Sequence, residues 1–164
     1  MTKGEYVAML ARRLGEPLRH IERHVERLHE TGMVKPVTGS RRFPPEIGEP
    51  EAVTILLGFL GSEKIDDAPA AATRLATLRN AQGNSMSEFM GELLFGSPRH
   101  IEHMIVRRES VSLVVDGRHH LFGELSEAPA RLVTGASLSA IAAELQGAAP
   151  SQADAVAAIT RLMK

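Results

Sequence analysis

Arg19, Arg23 and Arg27 stand four residues apart, and His20 and His24 keep the same spacing beside them. Side chains three or four apart share one face of a helix, so this pattern builds a cationic stripe. A guanidinium is a planar fork of N–H donors that can pair bidentately with a base edge or a phosphate. Leu18, Ile21, Val25 and Leu28 recur on the other side as an apolar stripe suited to burial. The chemistry such a helix can do is recognition rather than bond making. Arg19, His20 and Arg23 sit early on the outward face and are the candidates for base contact. Arg27, Lys35, Arg41 and Arg42 are better placed for phosphates or for a wing tip in the minor groove. A plainer reading is an amphipathic helix whose arginines pair with the interleaved Glu22, Glu26 and Glu30.

Other chemistries have weaker signals. His20 and His24 have i, i+4 spacing, and His100/His103 and His119/His120 add imidazoles, but no third ligand follows at a recognisable spacing. There is no cysteine, so thiolate ligands and thiol nucleophiles are excluded, and no metal or cofactor is expected. No nucleophile elbow, phosphate-cradling glycine loop or metalloprotease signature occurs. No catalytic residue is therefore nominated, and the chain is not expected to be an enzyme. Asp66-Asp67 reads as a helix cap that complements the helix dipole, and Glu124 and Glu127 as solvated groups.

The chain has 164 residues, 43% hydrophobic and 24% charged, enough for a real core in one domain or two small ones. It carries one Tyr, five Phe and no Trp, too few aromatics for base stacking on single strands. No apolar run approaches the ~20 residues of a membrane span, and no leader pattern is visible, so the expectation is a cytoplasmic protein without a membrane partner. The net charge of −1 hides an asymmetry: residues 1–44 hold nine Lys/Arg against five Glu, or +4, and residues 45–164 hold ten against fifteen Asp/Glu, or −5. Binding to a polyanion is thus expected through the amino-terminal module alone.

Several elements must position these residues. Thr2 and Glu5 have capping-box spacing and predict a helix over 3–14 that stops at Gly15. Glu16-Pro17 opens the cationic helix, with Pro17 at its first helical position, and Gly32 ends it. Met33 to Pro36 read as a short strand, and Thr38-Gly39-Ser40-Arg41-Arg42 as a basic turn. A third helix starting at Pro50 is apolar on several sides and should be the hub. Further helices are expected over 69–80, after the Ser85/Glu88 capping box, over 128–145 and over 151–163. Alternation around Val111, Leu113 and Val115, followed by Asp116-Gly117, predicts a hairpin returning through His119 to Phe122. The strand 111–115 is an aggregation hazard unless another element covers it.

The stretch YVAMLARRLGEPLRHIERHVERLHETGMVKP, then RRF and EAVTILLGFL, resembles winged helix-turn-helix regulators and is similar in layout to the MerR-type amino-terminal domain. The resemblance covers residues 6–60 and implies DNA-contacting roles for Arg19, His20, Arg23, Arg41 and Arg42. FMGELLFGSP, the hairpin and LSAIAAEL loosely resemble small helix-turn-helix proteins of temperate phages. The expected fold is α+β and mostly helical: a winged helix-turn-helix over 1–63, then a helical module with one β-hairpin over 64–164. That second module is expected to serve homo-oligomerisation or a protein partner. The expected function is sequence-specific binding of double-stranded DNA as a transcriptional regulator. The alternative is a phage small terminase-like subunit that recognises DNA, oligomerises and contacts a packaging motor.

Overall fold

Two capping boxes start helices where their spacing predicts. The Thr2 hydroxyl accepts from the Glu5 N–H while the Glu5 carboxylate accepts from the Thr2 N–H, opening α1 (Lys3–Leu14). The same reciprocal pair between Ser85 and Glu88 opens α5 (Met86–Phe95). These bonds to the charged form hold both Glu carboxyls below their ordinary range. The computed structural model describes residues 1–35, 45–125 and 127–162. Among them the order continues as α2 (Leu18–Glu30), α3 (Glu49–Gly61), a 3-10 turn (Ile65–Asp67), α4 (Ala68–Thr77) and α5. Then come β1 (Ile101–Val106), β2 (Ser110–Val115), β3 (Arg118–Gly123), β4 (Arg131–Thr134), α6 (Gly135–Leu145) and α7 (Pro150–Leu162). The class is α+β and mainly helical.

The third helix is the hub, because it is apolar nearly all round and so must be covered nearly all round. Ala52, Val53 and the run Ile55 to Leu60 are buried, and α2, α4 and α5 pack around them. Tyr6 of α1 is fully buried and donates its hydroxyl to the Ala52 carbonyl at 2.8 Å, so its one polar atom is satisfied. Burying each such side chain is worth about 1.5–3 kcal/mol. One continuous buried cluster runs from Tyr6 to Ala142 and crosses the expected boundary near residue 63. The last two helices pack on each other through a separate set of alanines, Ala136, Ala140, Ala153 and Ala157.

Four strands form one antiparallel sheet in the order β3-β2-β1-β4, more than the single hairpin expected. The hairpin itself is where the sequence places it. Asp116 and Gly117 both have positive φ, 50° and 70°, as a two-residue hairpin turn requires. Arg99 and the His100 N–H both donate to the Asp116 carboxylate and hold it below its ordinary range.

Other expectations are corrected. Residues 131–134, expected at the start of a helix, pair with β1 instead, and Thr134 caps α6 by accepting from the Ser137 N–H. The strand 111–115 is no edge: β2 lies between β3 and β1, which satisfies its backbone on both sides. Pro17 is the residue before α2 rather than its first. Met33 and Val34 form a bend and Lys35 is irregular, not a strand, and Pro36 lies outside the described residues. Asp67 makes no side-chain cap to α4, and Asp66 turns to Arg27 instead. The basic turn with Arg41 and Arg42 lies outside the described residues.

Candidate nucleic-acid interface

Gly15 adopts the left-handed conformation (φ 69°) that ends α1, and its N–H returns to the Ala11 carbonyl. With Glu16 and Pro17 it turns the chain, and α2 comes back against α1. The inward stripe of α2 is Ile21, His24, Val25 and Leu28, all buried. Leu18, expected on that stripe, is 45% exposed, although Ile21 in the same turn is fully buried.

Arg19 and Arg23 lie on the exposed face. Among the described residues neither forms an ion pair. Arg27 is different: its Nη1 reaches Glu30 Oε2 at 2.7 Å and its Nε lies 3.6 Å from Asp66 Oδ1. The stripe of three is therefore a pair of open guanidinium groups and one engaged with carboxylates. Glu22 and Glu26 share the outer face, so the two open guanidinium groups stand on a face of nearly balanced charge.

The two histidines diverge. His20 is half-buried, bonds Glu16 at 3.2 Å, and sets its ring edge-on to Phe59 of α3 with 5.6 Å between centroids. His24 is 2% exposed, stands 5.1 Å from the same Phe59 ring, and donates Nδ1–H to the His20 carbonyl at 2.8 Å. Burial pushes the His24 imidazole below its ordinary value. It is a neutral core group and adds no charge to the stripe. Lys35 is exposed just beyond the helix; its N–H donates to Glu51 at 2.9 Å and its carbonyl accepts from Lys3. Those bonds fix the exit of α2 against α1 and α3.

Sequence reasoning missed Phe59 and Arg131. The Arg131 Nη1 donates to the Phe59 carbonyl at 2.8 Å, and its guanidinium lies 5.0 Å over the Phe59 ring. Phe59 thus contacts both α2 histidines and a β4 arginine. The separation of 72 residues left no local signal to find the pair. It also missed Arg12 and Arg13, which reach from α1 to Glu144 of α6: Arg12 Nη2 to Oε2 at 2.6 Å and Arg13 Nε to Oε1 at 2.7 Å.

His119 and His120 belong to the sheet rather than to this surface. His119 bonds Ser112 across the β2–β3 pair at 2.6 Å, and His120 stacks on Phe89 at 4.7 Å. Among the described residues no three His, Asp or Glu side chains are grouped to hold a metal ion. Among them, too, no helix is long and apolar enough to cross a membrane. No family model matches this chain, and neither a curated protein nor a solved structure does.

Proposed function

We propose that this chain binds double-stranded DNA in a sequence-specific manner and acts as a transcriptional regulator, with α1 and α2 as a helix-turn-helix. The observation that carries the reading is the division of α2. Its Ile21, Val25 and Leu28 side is buried on the hub while Arg19 and Arg23 stand exposed and, among the described residues, without carboxylate partners. A duplex laid on that face meets two guanidinium forks at the start of the helix, where a recognition helix contacts base edges. The half-buried His20 lies beside them. Lys35, Arg27, and Arg41 and Arg42 of the wing in this proposal, are assigned to phosphates.

One such unit makes few base contacts, so the reading includes a homo-oligomer, with residues 64–164 supplying the assembly. A dimer in solution fits the regulator. A closed ring of many copies would favour a packaging subunit instead.

The test is duplex binding across a salt series, with a selected site and random-sequence DNA. The wild type should lose affinity steeply as salt rises, because each phosphate contact releases counterions. Arg23→Ala should weaken the selected site more than random DNA, and Arg41→Ala should weaken both alike. Weak, salt-insensitive binding by all three proteins would overturn the proposal.

A further inference from the structure

A groove of about 360 Å³ runs between the end of α3, the turn joining β1 to β2, and the approach to β4. Arg107, Arg108 and Arg131 line it, and Glu63 is the acid among its walls. Three arginines from two separate parts of the chain meet along this groove. Arg131 is anchored on Phe59 by its hydrogen bond and by the ring beneath it. The β1–β2 turn is fastened twice: Arg107 N–H donates to the Ser110 carbonyl at 2.8 Å, and Arg74 Nε donates to the Arg108 carbonyl at 2.8 Å. The anchored guanidinium of Arg131 loses little freedom when it binds, and the fastened turn fixes where the Arg107 side chain starts, which together favour a grip on a tetrahedral anion.

Charge balance favours an anion as well. Glu109 lies 3.4 Å from Arg108 and 3.8 Å from Arg74, and so occupies those two. Arg107 and Arg131 form no ion pair among the described residues. Arg131 spends one N–H on Phe59 and keeps donors to spare. The groove also adjoins the candidate interface, because the Phe59 that carries Arg131 is the one touched by His20 and His24 of α2.

We infer that this groove is a phosphate site, gripped by Arg107 and Arg131 with Arg108 at its rim. On a duplex lying against α2 the phosphate is one of the DNA backbone, a step that rests on the function proposed above. A free phosphate group, as in pyrophosphate or a nucleoside diphosphate, offers the same chemistry.

The experiment compares the full-length wild type with Arg107→Ala/Arg108→Ala, and with Arg107→Lys as a charge-keeping control. Arg131 is left intact because it also holds Phe59. On duplex DNA the double variant should lose affinity equally on selected and random sequences. Its log–log salt slope should be shallower by about 0.9, the loss of one phosphate contact. Arg107→Lys should restore part of that slope. A double variant with the wild-type slope and affinity, beside a wild type that binds DNA, overturns the groove and leaves the α2 reading standing. If the wild type binds no DNA, the α2 reading fails and pyrophosphate decides the groove. A saturable shift of the arginine Nε–H resonances that the double variant lacks then supports a site for free phosphates, and no shift overturns it.

Discussion

At the end of α1, Arg12 and Arg13 close on Glu144, whose side chain is 5% exposed, and Arg13 also reaches Asp154 and the Pro150 carbonyl of α7. One turn of chain later, on α2, Arg19 and Arg23 point outward and take no ion-pair partner among the described residues. The side-chain chemistry is the same and so is the helical setting. What differs is whether a carboxylate from the far end of the chain arrives to meet them. In a buried setting a charge must be paired, since desolvation would otherwise cost several kcal/mol (roughly) per ion. In water it need not be. The comparison separates arginines that hold the molecule together from arginines left available to a ligand.

The strongest test of that division is Glu144→Ala. Removing one partner of a buried pair leaves Arg13, itself 10% exposed, with only the exposed Asp154 as counter-charge. The expected loss is about 3–5 kcal/mol in urea unfolding, with Glu144→Gln, which keeps a hydrogen-bond acceptor, falling between. A change under about 1 kcal/mol, as for a surface pair, would erase the contrast.

A second variant tests the same junction from its other end. A Cβ on Gly135, the first residue of α6, would overlap the Ile101 carbonyl oxygen of β1, which is backbone and cannot swing aside. Gly135→Ala should push α6 away from the sheet and carry Glu144 with it. An expected cost at the upper part of the about 1–3 kcal/mol range for overpacking would show as a lower unfolding midpoint. An unchanged midpoint would mean that α6 can shift freely.

The other side of the comparison predicts a split between stability and binding. Arg19→Ala and Arg23→Ala should each alter stability by no more than about 0.5 kcal/mol. On the selected DNA site each should cost about 1–3 kcal/mol if its fork reads a base pair. Loss of stability without loss of binding would place these arginines in the structural class.

The smallest effect concerns pH. Burial holds the His24 imidazole below its ordinary 6.5, so the unfolded chain takes up the proton first. Stability from this group is therefore complete above that value and declines as pH falls below it, until the folded imidazole protonates too. Burial lowers His29 and His120 in the same sense. Unfolding midpoints compared between about pH 7.5 and about pH 5.5 should fall for the wild type and fall less for His24→Gln. Equal slopes for the two proteins would show that His24 takes up its proton alike in the folded and unfolded chain.

Local signals were legible because they are made within a few residues. The Thr2/Glu5 and Ser85/Glu88 caps, the left-handed stop at Gly15 and the Asp116-Gly117 turn each depend on neighbours in the chain. The apolar excess of residues 49–61 likewise marked α3 as a helix that other elements must surround. Illegible features were those completed from afar. Residues 131–134 have no alternation strong enough to announce a strand, and they become one because β1 offers a free edge. His24 reads as polar by type, yet Phe59 and its own backbone bond make it a core residue.

Sequence alone determined where the capped helices α1 and α5 begin, where α1 stops, which face of α2 carries the apolar stripe and which the arginines, and where the β2–β3 hairpin turns. Those properties follow from short-range hydrogen bonds and from the period of apolar side chains. Only tertiary structure decided which arginines are spoken for, because an ion pair depends on the approach of a carboxylate and not on distance along the chain. Arg13 and Glu144, 131 positions apart, meet; Arg19 and its near neighbour Glu22 form no such pair.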